Sequence, residues 1–220
     1  MGIVENLLRV PERIREACDR ARRDPVTVKL VAVSKAQPLE KIMEAFACGH
    51  GTFGENYAQE LHEKADALAE AECHFIGALQ TNKVKLVVGH AAMIQTCDRM
   101  SLAKELAKRA EAKNLTQRVL VQVNVGREPR KGGALPEDVD TLVAGVRDLD
   151  ALRCEGLMCI PPEQGDPRPH FRALRAIRDR LGLRELSMGM SADFEAAIEE
   201  GSTMVRVGTA IFGERPPRRG

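Results

Sequence analysis

The chain has 220 residues, which suits one large domain or two small ones. Its 33 Lys and Arg residues nearly balance its 32 Asp and Glu residues, so no overall charge favours nucleic acid or an anionic membrane as a partner. No apolar run reaches the roughly 18 residues of a membrane span, and no signal-peptide core is present at the N-terminus, so we expect a cytoplasmic protein.

Apolar residues recur at helical or strand-like spacing along the chain. Residues 3–23 show a helical pattern, which predicts an N-terminal helix within residues 1–24. The apolar run at 28–34 is then the first of eight predicted strands, and Pro38 breaks it. The other strands are predicted at 52–53, 73–76, 92–95, 119–125, 153–159, 186–187 and 204–207. Helices are predicted at 39–48, 57–70, from Asn82, 99–113, from Pro136, 171–181 and 192–200, and Asn114 is the predicted C′ residue of the fourth of these.

The regular alternation of strands and helices leads to a prediction of the fold. Eight βα units without a long interruption predict a single closed (β/α)₈ barrel of the TIM type, preceded by an extra N-terminal helix. An open doubly wound sheet is the alternative, but eight regular units favour closure. We therefore predict one domain over residues 1–220, with a flexible tail at 214–220.

Polar residues follow several predicted strands, where a barrel of this kind has its functional loops. Lys35 ends the first strand and is either a surface charge or an amine held for covalent chemistry. Ser191 follows the seventh strand, where it either only caps the predicted helix 192–200 or also contacts a ligand. Gly208 and Thr209 follow the eighth strand. Loops after the last two strands often form a phosphate site, so these three residues are candidates for one.

Arg206 lies in the middle of the last apolar strand. A permanently charged guanidinium in a barrel strand is costly unless it is paired. Its partner is either a carboxylate on a neighbouring strand or a ligand, and we favour a ligand. A lysine, a phosphate site and a buried arginine together indicate a phosphorylated aldehyde held as a Schiff base, and pyridoxal 5′-phosphate (PLP) fits that description.

Longer motifs occur in order between residues 28 and 213. They are Val-Ala-Val-Ser-Lys35, Phe53-Gly-Glu-Asn-Tyr57, His74-Phe-Ile-Gly77, Leu79-Gln-Thr-Asn-Lys83, Gly156-Leu-Met158, Ser187-Met-Gly-Met-Ser191 and Gly201-Ser-Thr-Met-Val-Arg206-Val-Gly-Thr-Ala-Ile-Phe-Gly213. In type and spacing they resemble the pyridoxal phosphate homeostasis protein family. Two departures touch no predicted cofactor contact: Lys131-Gly132-Gly133 replaces a Lys-Ser-Gly-like turn, and Ala36-Gln37 replaces Thr-Lys.

This resemblance implies a barrel like the N-terminal domain of alanine racemase, with PLP attached to Lys35. It also implies that Arg206 faces the pyridine nitrogen and that the loops after the last two strands contact the phosphate. No catalytic residue and no metal ligand follow from it. The predicted cofactor-binding residues are Lys35, Asn56, Met190, Ser191, Arg206, Gly208 and Thr209.

Catalytic turnover would need further groups. Racemisation with PLP needs an acid or base on each face of the substrate adduct. Lys35 serves one face, whereas in alanine racemase a tyrosine from a second domain serves the other, and we expect no such domain here. The single tyrosine, Tyr57, fits a packing role better, and Cys159-Ile160 stand where the family usually has Thr-His. An arginine at the pyridine nitrogen also weakens the ring as an electron sink. We therefore predict a PLP carrier that buffers or delivers the cofactor without significant catalysis.

Two other functions stay open. One is a low-activity PLP-dependent amino-acid racemase. The other is a Schiff-base aldolase on the same barrel, although aldolases more often have their lysine on strand 6, where this chain has Met158 and Cys159.

Predictions about partners and further sites complete the interpretation. We expect apo PLP-dependent enzymes as partners and a monomeric protein, and whether Lys83 or Lys131 binds a second PLP molecule stays open. The six cysteines form no CxxC pair, which favours free thiols over disulfides or a zinc site.

Overall fold

The strands of this chain close into a barrel, as a computed structural model covering residues 2–214 shows. All eight strands are parallel, each pairs with the next in chain order, and the last pairs with the first, with Leu30 opposite Val205. The strands are β1 (Lys29–Val33), β2 (Thr52–Glu55), β3 (Glu72–Phe75), β4 (Met93–Cys97), β5 (Gln117–Val123), β6 (Leu152–Cys159), β7 (Glu185–Ser187) and β8 (Met204–Val207). The predicted (β/α)₈ barrel is therefore confirmed, and the open sheet is wrong.

Helices cover the outside of the barrel. They are α1 (Ile3–Arg20), α2 (Leu39–Ala47), α3 (Ala58–Lys64), α4 (Met100–Ala112), α5 (Val139–Arg147), α6 (Arg168–Arg180), α7 (Phe194–Glu199) and α8 (Thr209–Phe212). The extra N-terminal helix is confirmed as α1, which packs against α7 and α8. Arg13 Nε donates to Glu195 Oε1 at 2.8 Å, and Asn6 Nδ2 donates to the backbone oxygen of Ile211 at 2.9 Å. These contacts join the two ends of the described chain.

Two apolar cores follow from the alternation of side chains along each strand. The larger core combines outward-facing strand residues with the apolar faces of the helices, and Phe53, Phe75 and Leu106 are among its fully buried members. The smaller core contains only strand residues. They come from four strands that are not all neighbours, so they meet inside the barrel: Met93, Leu120, Met158 and Met204.

Some predicted elements differ from those observed. A 3₁₀ helix, Thr81–Leu86, replaces the helix predicted from Asn82, because the segment ends at the Val88–Ala91 bridge and has room only for short turns. α5 begins at Val139, so Pro136 precedes the helix instead of occupying its first turn. The predicted C′ position is confirmed, because Asn114 has a φ of 52° and its N–H donates to the carbonyl of Glu111.

Several other predictions concern the chain as a whole. Residues 215–220 of the predicted tail lie outside the described residues, and the single-domain organisation stays a prediction. No helix within residues 2–214 has the length and apolar character needed to span a membrane. The cysteines are free thiols, as predicted, and the described residues contain no cluster of three or more potential metal ligands.

Candidate functional site

A cavity of about 260 Å³ opens where the strands end at their carboxyl termini. Its wall comes from residues at or just beyond the ends of β1, β2, β3, β6, β7 and β8. All seven predicted site residues belong to this wall, so the structure brings the whole predicted set together; their cofactor contacts stay a prediction. The full lining is Val33, Lys35, Asn56, Ile76, Ile160, Met190, Ser191, Ala192, Arg206, Gly208 and Thr209.

Lys35 lies in a tight turn directly after β1. Ser34 N–H donates to the carbonyl of Gly54 at 3.0 Å, which continues the strand pairing to the residue before the lysine. Ala36, the residue after it, has a φ of 56°, a left-handed conformation that is costly for alanine. Its N–H donates to Glu60 Oε1 at 2.8 Å. Both neighbours of Lys35 are therefore held by the barrel wall or by α3.

A buried charged cluster lies next to this turn, and we call Ser34, Glu55, Glu60 and Lys64 the Glu55 cluster. Lys64 Nζ is 2.9 Å from Glu55 Oε1, 2.6 Å from Glu60 Oε1 and 3.3 Å from the backbone oxygen of Ser34. Ser34 Oγ also donates to Glu55 Oε1 at 2.7 Å. Burial of the fully enclosed Glu55 raises the pKa of its carboxyl, and the nearby charge of Lys64 opposes that rise. The cluster joins α3 to the turn that carries Lys35.

Asn56 follows β2 and is placed by a glycine on the next strand connection. A Cβ at Gly77 would be 2.0 Å from the backbone oxygen of Asn56, so only glycine allows this approach. Asn56 Oδ1 is buried and has no hydrogen-bond partner within residues 2–214. Because Asn56 lines the cavity, this unsatisfied amide is suited to a polar group of a ligand.

Arg206 is the buried cation of the site, with 4% of its surface exposed. Its Nη1 donates to Ser187 Oγ at 2.6 Å and its Nη2 donates to the backbone oxygen of Cys159 at 2.8 Å. None of the described carboxylates is within ion-pair distance of it, so the alternative of a salt bridge to a neighbouring strand is wrong. Burial lowers the pKa of Arg206, because a charge out of water is costly.

The loop after β7 differs in detail from its prediction. Asp193, and not Ser191, directly precedes α7, which begins at Phe194. Residues 192 and 193, the start of the predicted helix, form a turn instead. Asp193 Oδ1 accepts the N–H of Met190 at 2.6 Å, and the Met190 carbonyl accepts the N–H of Phe194 at 2.9 Å. Ser191 therefore lines the cavity without capping that helix.

The loop after β8 brings the last strand close to the first. A Cβ on Gly208 would be 3.2 Å from Val33 Cβ, so a larger residue there would push the two strand ends apart. Gly208 leads directly into the short α8, in which its carbonyl accepts the N–H groups of Ile211 and Phe212 at 2.9 Å. Thr209 is exposed at the rim of the cavity.

Other residues singled out from the sequence lie outside this wall. Tyr57 is 41% exposed and precedes α3. Lys131 Nζ donates to the backbone oxygen of Pro161 at 2.9 Å, and Lys83 is on the 3₁₀ helix. None of the three lines the cavity.

The polar residues behind the cavity wall were not predicted from the sequence. In the sequence, Glu55 belongs to a motif, Lys64 to a predicted helix and Gln95 to a predicted strand, without a further predicted role. The signal that could have found them was a carboxylate or an amide within an apolar strand, and a lysine on the inner side of an amphipathic helix. Such positions are costly unless they are paired, which makes them candidates for a supporting network.

The arrangement suits one kind of ligand. A lysine at the cavity wall can attack a carbonyl carbon, and a buried guanidinium without a described carboxylate partner favours a ligand that brings acceptor groups or negative charge. Asn56 adds an unsatisfied acceptor, and the small residue at 208 allows backbone close to the ligand. Residues present in the cavity therefore fit a phosphorylated aldehyde.

Comparisons with known proteins agree with this geometry. Residues 6–216 match the family described as alanine racemase, N-terminal domain. A protein of Aquifex aeolicus named pyridoxal phosphate homeostasis protein is 48% identical over 98% of this chain and 99% of its own. PipY of Synechococcus elongatus, solved with PLP bound, is 32% identical with a TM-score of 0.83, covering 96% of this chain and 100% of that one. The alanine racemase of Corynebacterium glutamicum is 18% identical with a TM-score of 0.70, covering 99% of this chain and 62% of that one, and shares the fold.

Proposed function

The chain belongs to the pyridoxal phosphate homeostasis protein family, and on that premise we propose that it binds PLP reversibly and buffers or delivers it. One observation carries the proposal. Seven residues predicted from separate parts of the sequence line one cavity at the strand ends. PipY, a homologue over nearly the whole length, has been solved with PLP bound.

Lys35 has the central role in the proposed binding. When bound, PLP supplies an aldehyde carbon, with which a lysine amine condenses to a Schiff base and water, and addition of water reverses the condensation. The turn that carries Lys35 is held at Ser34 and Ala36, so the lysine starts from a fixed backbone position. Such preorganisation strengthens binding because less entropy is lost on attachment.

The other six residues hold the cofactor in our proposal. Arg206 faces the pyridine ring and supplies positive charge, while Ser191, Gly208 and Thr209 contact the phosphate. Asn56 and Met190, which line the same cavity, would lie next to the cofactor. An arginine beside the pyridine nitrogen leaves that nitrogen unprotonated, which makes the bound cofactor a poor electron sink.

We propose that turnover is absent or very slow. Ile160 lines the cavity, at the position where the family resemblance led us to expect an imidazole. Its apolar side chain cannot transfer a proton. Tyr57 is exposed and is not part of the cavity wall. Lys35 is then the one residue of the wall with the chemistry of a base, and racemisation needs two.

An absorption spectrum tests the proposed attachment. Purified protein mixed with PLP should show a band near about 420 nm from the Schiff base, and Lys35→Ala should lose it. Lys104→Ala removes an exposed lysine from α4 and serves as the matched control, which should keep the band. A band retained in full by Lys35→Ala would overturn the assignment of Lys35.

The enzymatic alternative has a separate test. The protein is incubated with PLP and single-enantiomer alanine or serine, and chiral chromatography follows the second enantiomer. We expect none above the rate of PLP alone. Racemisation that Lys35→Ala abolishes would replace the carrier function with that of a racemase. Borohydride trapping of a sugar phosphate on a lysine, without PLP binding, would favour the aldolase.

Delivery, location and assembly are part of the proposal. We propose that apo PLP-dependent enzymes receive the cofactor, that the protein is cytoplasmic and that it is a monomer. Transfer is measured as the recovery of activity by an apo-enzyme in the presence of a scavenger that removes free PLP. Light scattering gives the oligomeric state.

A further inference from the structure

A line of hydrogen-bonded side chains crosses the barrel interior from the cavity to the opposite end of the strands. It starts at Arg206, whose Nη1 is 2.6 Å from Ser187 Oγ. Ser187 Oγ is 2.6 Å from Gln95 Oε1, and Gln95 Nε2 is 2.8 Å from His74 Nδ1. His74 Nε2 is 3.2 Å from Glu72 Oε1. Ser187, Gln95 and His74 are each fully buried.

The chemistry of the two ends fixes the direction of every hydrogen on this line. Arg206 only donates, so Ser187 Oγ accepts from it and gives its own hydrogen to Gln95 Oε1. Glu72 is a carboxylate and only accepts, so His74 carries its proton on Nε2. Burial lowers the pKa of His74 and keeps it neutral, so its Nδ1 accepts from Gln95 Nε2. All hydrogens point from Arg206 towards Glu72.

The amide of Gln95 has only one satisfactory orientation in this line. If it were rotated by half a turn, its oxygen would face the lone pair of His74 Nδ1 and its NH₂ group would face Ser187. The Ser187 hydroxyl would then lose its acceptor, while Arg206 would still occupy its oxygen. A buried group without a partner is costly, so the line holds together as a unit.

An ion-pair group anchors the far end. Glu72 Oε2 is 2.6 Å from Lys29 Nζ, and Glu72 Oε1 is 3.1 Å from Arg118 Nη1. The hydrogen bond from His74, together with that from Lys29, holds the pKa of Glu72 well below its usual range, against the effect of burial. Glu72 therefore stays an acceptor at neutral pH.

Apolar side chains surround the line of hydrogen bonds. The methionine and leucine side chains of the smaller core are fully or almost fully buried, and Met204 Sδ is 3.8 Å from Gln95 Nε2. Hydrogen bonds are stronger in such apolar surroundings, and a lost partner is poorly replaced by water. A change at Gln95 is therefore passed to Ser187 and from there to the guanidinium at the cavity.

We propose that His74, Gln95 and Ser187 are positioning residues that fix the orientation of the Arg206 guanidinium in the cavity and thereby set its contribution to PLP binding. The inference rests on the proposed function, since it uses PLP as the ligand. None of the three residues lines the cavity, so they act on the ligand only through Arg206.

The decisive variant is Gln95→Met, which keeps the length of the side chain and removes both hydrogen bonds. We expect the Kd for PLP to rise about tenfold, which corresponds to the loss of one charge-assisted hydrogen bond between Arg206 and PLP. The absorption band of the bound cofactor should also shift. Gln95→Glu keeps an acceptor for Ser187 and should keep the Kd within about threefold of the wild type. In ¹⁵N NMR of the cofactor-free protein, His74 should be the neutral Nε2–H tautomer in the wild type. It should be charged in Gln95→Glu, because the new carboxylate accepts a hydrogen bond from a protonated Nδ1.

Thr96→Val is the matched control for a buried polar change on the same strand. Thr96 Oγ1 is buried without a hydrogen-bond partner in the described chain, so its replacement removes no hydrogen bond from the line. The Kd and the band should not change in this variant. Urea unfolding of each protein separates a loss of stability from a loss of orientation. If Gln95→Met fails to fold, Ser187→Ala replaces it with the same expectation.

Three outcomes would count against the inference. A Gln95→Met protein with lower stability but an unchanged Kd and band would reduce the line to a structural role. Loss of affinity in Gln95→Glu equal to that in Gln95→Met would show that the hydrogen bond to Ser187 does not matter. A wild-type protein that does not bind PLP would overturn the proposed function itself, and the positioning role with it.

Discussion

Replacing Lys64 by methionine should destabilise the protein strongly at alkaline pH and only weakly at acidic pH. The lysine side chain is 10% exposed and its Nζ contacts both Glu55, whose side chain is 0% exposed, and Glu60. Removing one partner of a buried ion pair costs about 3–5 kcal/mol, because the other charge stays buried. We expect about 3 kcal/mol at about pH 8, since Glu60 has some access to water.

Protonation of Glu55 limits this loss at low pH. Burial raises the pKa of Glu55, so the folded state binds the proton more tightly than the unfolded chain does. The loss of folding stability caused by its charge is therefore absent below the ordinary glutamate pKa of about 4.3. This loss grows as the pH rises from there towards the raised pKa of the folded state. Without Lys64 the pKa of Glu55 is raised further, because the opposing positive charge is gone. At about pH 5 the penalty from this carboxyl cannot exceed about 1 kcal/mol, because each pH unit corresponds to about 1.4 kcal/mol.

Urea unfolding at these two pH values measures the effect. Lys104→Met makes the same chemical change at an exposed position of α4 and should change the free energy of unfolding by no more than about 0.5 kcal/mol. The double variant Glu55→Gln, Lys64→Met should lose the pH dependence, because no buried carboxylate remains without its cation. An equal loss of stability at both pH values in Lys64→Met would refute the reasoning.

Three further predictions follow from the backbone and the thiols. Gly77→Ala should weaken PLP binding and destabilise the fold by more than about 2 kcal/mol, because its Cβ would meet the Asn56 carbonyl; Gly51→Ala, with open space around the new methyl group, is the control in the same binding and urea assays. Arg22→Gly should raise the free energy of unfolding by about 1 kcal/mol, since the exposed Arg22 has a φ of 54°, and a decrease would contradict this. With Ellman's reagent, one thiol should react fast, and Cys48→Ser should remove that reaction. Burial raises the pKa of the other five thiols, which makes them slow to react. Two or more fast thiols would be inconsistent with this packing.

Much of the fold could be predicted from the sequence because the pattern of a parallel barrel is local. Each strand is buried on both faces and appears as a short apolar run, and each helix has an apolar side. The errors were local as well. The 3₁₀ segment Thr81–Leu86 and the turn at Ser191 depend on how few residues separate fixed strand ends, and propensity does not contain that distance.

The cavity wall could be predicted for a different reason. Residues at the carboxyl ends of parallel strands share one face of the barrel, whatever their separation in the chain. Lys35 and Arg206 are 171 positions apart, yet strand order alone predicts that they share a face, and β1 pairs directly with β8. The family resemblance added the identity of the ligand, which the residue types alone left open.

The sequence by itself determined the eight βα units, the side of the barrel that carries the site and seven of the eleven residues that line it. Only the tertiary structure decided what supports them. Glu55, Lys64 and Gln95 come from different elements, and their partners became evident only when those elements packed together. A hydrogen bond requires two groups, often far apart in the chain, to be placed to within a few tenths of an ångström. Burial and strand order depend instead on patterns that can be seen along the sequence.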